Sequence, residues 1–160
     1  MPRPRSKRRI YGPPRFSHFK PVGVPRRLLG AVTLTVDEYE AIRLADYEGL
    51  EQQPASERMG ISRSTFSRLV ETARRKLAES VVEGKELRIE GGAVDLEHTL
   101  RRCRDCGDEQ LQRAAETAGD REAAASCDAC GSDNVEDLAH AVLGPGYGRR
   151  HTHGRRQGRS

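Results

Sequence analysis

Hydrophobic positions first recur at helical spacing in the second quarter of the chain. An apolar stripe follows a capping box at Thr35–Glu38, and Gly49 supplies a stop signal. We therefore predict a first helix near 36–48. A second, shorter helix is predicted near 52–58. Pro54 is tolerated in it, because this residue falls in the first turn, where no intrahelical hydrogen bond is lost.

The third helical pattern is the longest. Gly60 ends the second helix and Ser62 is a good N-cap, so only two or three residues separate the second helix from the third. From Ser62 onward one face is apolar, and its residues are Phe66, Leu69, Val70, Ala73 and Leu77. The opposite face is polar and basic. The pattern predicts a helix over 62–80, with a short strand at Leu87–Ile89 after it.

A short helix, a tight turn containing glycine and a longer helix with a basic face are typical of a helix-turn-helix, whose last helix fits the major groove of DNA. The residues predicted to contact DNA are Ser62, Arg63, Ser64, Thr65, Ser67, Arg68, Arg74 and Arg75. We expect Arg63 and Arg68 to bind guanine or grip phosphate, and Arg74, Arg75 and Lys76 to touch phosphate. The alternative is an ordinary three-helix bundle whose basic face is merely solvated.

Charge along the chain is strongly asymmetric, although the net charge is only +4. Residues 1–27 contain nine Lys and Arg and no acid, and 144–160 contain five Arg and no acid. The middle of the chain carries the acidic excess. Cationic arms suit a polyanion, because each neutralised phosphate releases counterions. Solvated tails that only aid solubility are the alternative.

Four cysteines form two C-x-x-C-Gly pairs, and these are Cys103, Cys106, Cys127 and Cys130. The glycine after each pair lets the backbone curl so that amides face sulfur, and two such knuckles complete a tetrahedral four-thiolate site. With four protein ligands the site has no open position, so we predict structural Zn²⁺. Iron or another metal, two disulfides and a redox pair remain alternatives. Between the knuckles, Glu109–Ala118 is predicted as a short helix.

Composition narrows the function class. Apolar residues make up 35% of the chain, aromatic residues 4%, and there is no Trp, which disfavours a deep apolar pocket. No catalytic constellation stands out, so we expect a protein that is not an enzyme. The absence of a long apolar run or a secretory signal predicts a cytoplasmic protein without membrane contact.

Several stretches resemble an uncharacterised prokaryotic family, domain of unknown function DUF134, also called uncharacterised protein family UPF0251. The matching stretches are MPRPR (1–5), FKPVGVP (19–25), LTVDEYEAIRLADYEGL (34–50), ERMGISRSTFSRLVETARRKLAE (57–79) and EGKELRIEGG (83–92). The resemblance covers about the first 92 residues. It implies a predicted DNA-binding protein with a helix-turn-helix similar to region four of sigma factors, and no known catalytic activity. Glu-Gln-Gln-Pro at 51–54 departs from the family, which usually begins this helix with Ser.

We therefore predict a mainly α protein: a three-helix helix-turn-helix domain, a small zinc-ribbon-like C-terminal module and disordered basic arms. The expected divisions are an arm over 1–27, the DNA-binding domain over 28–92, the zinc module over 93–143 and a disordered tail over 144–160. The expected function is sequence-specific binding of double-stranded DNA by a nucleoid-associated transcriptional regulator. RNA polymerase is a possible second partner, and a homodimer would read paired half-sites. The alternatives are an RNA- or ribosome-associated protein, a polymerase adaptor and a thiol redox protein.

Overall fold

The computed structural model describes residues 7–114 and 126–144. Within these ranges the four α-helices are α1 (Val36–Ile42), α2 (Gln52–Met59), α3 (Arg63–Glu83) and α4 (Leu138–Leu143). The eight strands of the same ranges are β1 (Arg8–Ile10), β2 (His18–Phe19), β3 (Ala31–Leu34), β4 (Glu86–Ile89), β5 (Val94–Leu96), β6 (His98–Cys103), β7 (Glu109–Arg113) and β8 (Val135–Asp137). A 3₁₀ turn at Arg26–Leu28 precedes β3, and a π-helical turn at Arg43–Tyr47 prolongs α1.

The helices lie where the sequence predicts them. The amide of Thr35 donates to Oε2 of Glu38 at 2.9 Å, which is one half of the predicted capping box. Gly60 ends α2 and Gly84 ends α3, both in the left-handed conformation with φ of 65°. The strand predicted at 87–89 is confirmed as part of β4.

The predicted mainly α fold is wrong, because the described residues form three sheets alongside the helices, and the fold is α/β. The first sheet pairs β1 with β5 in parallel, and the second has β4 between β2 and β3. These strands are two to four residues long and join segments far apart in sequence. Local periodicity carries no signal for such pairings.

The disordered arm expected over 1–27 is also wrong for its described part. Ile10 in β1 is fully buried, and Pro13 and Pro14, a few residues later in the chain, are buried as well. Acidic residues of the body pair with four of the seven described cations of this segment, in the ion pairs Lys7–Asp95, Arg8–Asp37, Arg15–Glu109 and Arg26–Glu86. Residues 1–6, and the predicted tail beyond Gly144, lie outside the described residues.

The cysteines belong to the third sheet, in which β6 lies between β7 and β8 and all pairs are antiparallel. The helix predicted over Glu109–Ala118 is wrong in its first half, because Glu109–Arg113 is β7. Cross-strand contacts with β6 override the local helical propensity there; for example, Arg102 bonds Glu109 at 2.8 Å. Residues 115–118 lie outside the described part of the chain.

One hydrophobic core joins these elements. It contains Phe66 from α3, Leu34 from β3 and Ile10 from β1, and also Ala139 and Val142 from α4 at the far end of the described chain. No helix in the described part of the chain has the length and apolar character needed to span a bilayer.

Candidate nucleic-acid interface and metal centre

The turn between α2 and α3 is short, and two of its backbone amides bond back to α2. The amide of Gly60 donates to the carbonyl of Glu57 at 3.1 Å, and that of Ile61 donates to the carbonyl of Ser56 at 3.0 Å. The hydroxyl of Ser62 then accepts from the amide of Thr65 at 3.2 Å, so α3 begins directly after Ser62. The geometry is a short helix, a three-residue turn and a long helix, as the sequence predicts.

The long helix α3 buries one face and exposes the other. Phe66, Val70 and Ala73 point into the core. The exposed positions are Ser62, Arg63, Ser64, Arg68, Glu71, Arg74 and Arg75, while Thr65 and Ser67 are half-buried. The basic face is therefore accessible to a partner along its length.

Hydroxyl groups in the first turn of α3 bond to one another. Oγ of Ser62 lies 3.1 Å from Oγ of Ser64 and 2.8 Å from Oγ1 of Thr65. Ser62 also caps the helix, so its primary role is structural. Ser64 and Thr65 retain lone pairs for a partner that approaches the helix start.

Neither of the two arginines near the start of α3 is paired with an acid among the described residues. Nε of Arg63 donates to the neutral side chain of Gln52 at 3.2 Å. Arg68 is exposed, and within the described residues its side chain has no hydrogen bond or ion pair. The sequence singles out Arg63 and Arg68 but gives no indication that Gln52 contacts Arg63.

The cations further along α3 are paired with acids instead. Asp46 accepts two hydrogen bonds from Arg74, at 3.1 and 2.6 Å, and the bonding to this guanidinium lowers the pKa of Asp46. Arg75 lies 3.3 Å from Glu71, and both side chains are 73% exposed. Lys76 donates to both carboxylate oxygens of Glu38, at 2.9 and 2.7 Å, in a mostly buried pair. Lys76 therefore ties α3 to α1 rather than facing outward.

One further arginine lies at the turn. Nη2 of Arg9, in β1, donates to the carbonyl of Glu57 at 2.8 Å. Its guanidinium covers Gly60, where an added Cβ would lie 3.2 Å from Nε. The N-terminal segment thus brings a cation to the turn before α3. The sequence predicted that this cation would lie in a free arm.

The four cysteines converge on one point, with all four sulfur atoms within 4.8 Å of one another. Sγ of Cys103 lies 3.6 Å from that of Cys130, and Sγ of Cys106 lies 3.6 Å from that of Cys127. A disulfide needs about 2.05 Å. A tetrahedral ion with sulfur at about 2.3 Å separates its ligands by about 3.8 Å. The cluster therefore fits a bound metal ion and does not fit disulfides.

Both knuckles have the same backbone geometry. The amide of Gly107 donates to the carbonyl of Cys103 at 3.0 Å, and that of Gly131 donates to the carbonyl of Cys127 at 2.7 Å. Both glycines have positive φ, as the tight curl requires. A side-chain contact links the knuckles, because Asp105 accepts from Ser132 and, at 2.8 Å, from Asn134. The spacing of the cysteines does not indicate that Asp105 joins the knuckles.

The thiols differ in acidity. Hydrogen bonding from the amide of Cys106 lowers the pKa of Cys103 to about 7. The amide of Asp108 lowers the pKa of Cys106, but contact with the thiol of Cys130, burial and the other thiols outweigh it and raise that pKa to about 12. Four thiolates this close repel one another, so full ionisation requires a cation at the centre.

Comparisons with known proteins cover the helical part of the chain and the cysteine region. A family model described as "Protein of unknown function DUF134" matches residues 1–97. The chain is 51% identical over 160 residues, all of both chains, to a UPF0251 protein of Chloroherpeton thalassium. It is 46% identical over 155 residues to a UPF0251 protein of Moorella thermoacetica, covering 97% of this chain and 96% of the relative. No solved structure matches. The family model ends before Cys103, whereas both relatives align across the cysteine region.

Proposed function

Because the chain belongs to the DUF134 family, also named UPF0251, whose members carry no stated activity, we propose a function from its surfaces: sequence-specific binding of double-stranded DNA. The observation that carries the proposal is the uncompensated charge of Arg63 and Arg68 at the exposed start of α3. A long helix held by a short turn enters the major groove with its first turns foremost. Guanidinium groups at that end meet guanine edges and phosphates.

The role that follows is transcriptional regulation by a nucleoid-associated cytoplasmic protein, with a helix-turn-helix like that of sigma-factor region four. Arg63 and Arg68 read bases or hold phosphate, and Ser64 and Thr65 offer short polar contacts. Ser67 lies on the flank of the same face. Arg74 and Arg75 reach phosphate after exchanging their carboxylate partners, since exposed ion pairs are worth only about 0–1 kcal/mol.

The ion at the four cysteines is, in this proposal, structural Zn²⁺. Zinc prefers a closed tetrahedral set of four thiolates, and its binding energy becomes folding energy. Cys103 and Cys106 hold it from the first knuckle, and Cys127 and Cys130 hold it from the second. Metal analysis of the purified protein should give one zinc per chain and four thiols. Disulfides and no metal would contradict the assignment, and iron would correct it.

The DNA proposal is tested by selecting duplexes from a random pool and titrating the selected duplex at several salt concentrations. Engagement of about six phosphates predicts a slope of log affinity against log salt near −5. The variant Arg63→Ala/Arg68→Ala should lose specific binding and keep its thermal melt. Arg101→Ala/Arg113→Ala removes the same charge from two arginines of β6 and β7, outside both α3 and the N-terminal segment, and is the matched control.

Three outcomes would contradict the proposal. The Arg63/Arg68 double variant could bind as tightly as the wild type, the affinity could be independent of salt, or structured RNA could compete better than duplex DNA. The last result would favour the RNA-associated alternative. Capture of RNA polymerase in the absence of nucleic acid would favour the adaptor alternative.

A further inference from the structure

Gln52 is the first residue of α2, and Arg63 is the first residue of α3. The two helix starts meet through their side chains, with Oε1 of Gln52 accepting from Nε of Arg63 at 3.2 Å. The partner of Arg63 is thus a neutral amide. Arg74, by contrast, is held by a carboxylate that cancels its charge.

The contact uses the single N–H donor on Nε and leaves the four donors on Nη1 and Nη2. With Nε bonded to Gln52, Nη1 and Nη2 have no partner within the described residues and form an end-on pair of coplanar donors. Such a fork matches the two acceptors, O6 and N7, that guanine presents in the major groove. A side chain held on one side also loses less conformational freedom when it binds.

We propose that Gln52 is a positioning residue that fixes the guanidinium of Arg63 for guanine, so that α2 sets the base preference of α3 at one base pair. This inference rests on the proposed DNA binding. It assigns to Gln52 no contact with the base, only an effect through Arg63. Discrimination at that base pair depends on Gln52 and Arg63 jointly, whereas affinity for phosphate does not depend on Gln52.

The neighbouring glutamine supplies a matched control. Nε2 of Gln53 donates to Oε1 of Glu57 at 2.7 Å, along its own helix. Gln52 and Gln53 are both exposed, adjacent and chemically identical. A general effect of glutamine loss on α2 therefore shows equally in both variants, while an effect through Arg63 shows in Gln52→Ala alone.

The experiment uses the full chain and the duplex selected by the wild type. Affinities are measured for that duplex and for duplexes with each base pair substituted in turn. The proteins are the wild type, Gln52→Ala, Gln53→Ala, Arg63→Ala and Gln52→Ala/Arg63→Ala. Arg63→Ala should lose about tenfold discrimination at one G·C pair, and Gln52→Ala should lose severalfold at the same pair. The double variant should match Arg63→Ala, and Gln53→Ala should match the wild type.

A conservative variant adds a second readout. Gln52→Glu keeps the acceptor and adds a charge that neutralises Arg63, so it should keep the base preference and lower the affinity for every duplex. Thermal melts of all variants should coincide. Equal weakening of Gln52→Ala on every duplex, or losses that add in the double variant, would overturn the inference and leave DNA binding intact. Failure of the wild type to bind any duplex would overturn both.

Discussion

Asp46 restrains the third arginine of α3, and its removal tests where DNA lies along the helix. The carboxylate holds Arg74 through two hydrogen bonds, at 3.1 and 2.6 Å. Asp46→Asn removes the negative charge and weakens this hold. Since the Arg74 and Asp46 side chains are 60% and 39% exposed, the ion pair contributes at most about 1 kcal/mol to folding. We therefore expect the variant to fold.

The gain in affinity has two sources. In the wild type, Arg74 must leave Asp46 to meet phosphate, and the freed carboxylate takes up a cation; without this uptake, the plot of log affinity against log salt for the variant should be steeper by about 0.9. Loss of a carboxylate about 10 Å from phosphate removes about 0.4 kcal/mol of repulsion in water, roughly a twofold gain in affinity. Between about 50 and 200 mM salt, the steeper slope should cost the variant about 3.5-fold more affinity than the wild type loses.

Fluorescence anisotropy with the selected duplex at four salt concentrations measures both quantities. Asp133→Asn is the control, because it removes the same charge from an exposed position on the cysteine module. If Asp46→Asn has the wild-type slope, or gains no more affinity than Asp133→Asn, then Arg74 does not meet phosphate and the DNA contact is confined to the start of α3.

Three further outcomes are expected. Gly60→Ala and Gly84→Ala impose the same left-handed strain, which should cost each of them at least about 1 kcal/mol in urea unfolding. Gly60→Ala should cost more, because its methyl meets the guanidinium that covers the turn, and equal losses would refute that contact. Glu51 caps α2 without a side-chain hydrogen bond, so Glu51→Ser should raise the unfolding free energy by about 1 kcal/mol, and an unchanged urea midpoint would argue against it. Removal of the metal ion by a chelator should lower the melting temperature and speed amide hydrogen exchange at Ala139 and Val142. Unchanged exchange would show that the stability of α4 does not depend on the metal ion.

The helices α2 and α3 and the turn between them were predictable because their signals are local. A serine cap at Ser62, a glycine in the left-handed conformation at Gly60 and apolar residues at helical spacing each act within a few residues. Each cysteine knuckle was predictable from its spacing for the same reason, since each closes on itself through Gly107 or Gly131. These features need no information from distant parts of the chain.

The sheets and the pairing of charges were not predictable in this way. Arg8 lies opposite Val94 in a parallel pair, and no turn connects their strands. A run of cations without nearby acids suggested a free arm, although acids distant in sequence, such as Asp95 and Glu86, neutralise it in space. The contact between Gln52 and Arg63 was not predictable for a similar reason. The angle between two helices decides which of their side chains meet across the turn, and local sequence patterns do not give that angle.

The helix that follows the cysteines, α4, packs into the same hydrophobic core as α3, although the family model stops at residue 97. Val142 and Ala139 of α4 are buried in the core that also holds Phe66 of α3, and the amide of Gly91 donates to the carbonyl of Val142 at 3.1 Å. The chain reaches α4 from Cys130 through β8, which pairs with β6 where Cys103 lies opposite Val135. A metal ion that joins the two knuckles therefore fixes the segment that completes this core. Because metal binding energy becomes folding energy, an ion held by the four thiolates would stabilise the core beneath α3, the helix that presents Arg63 and Arg68.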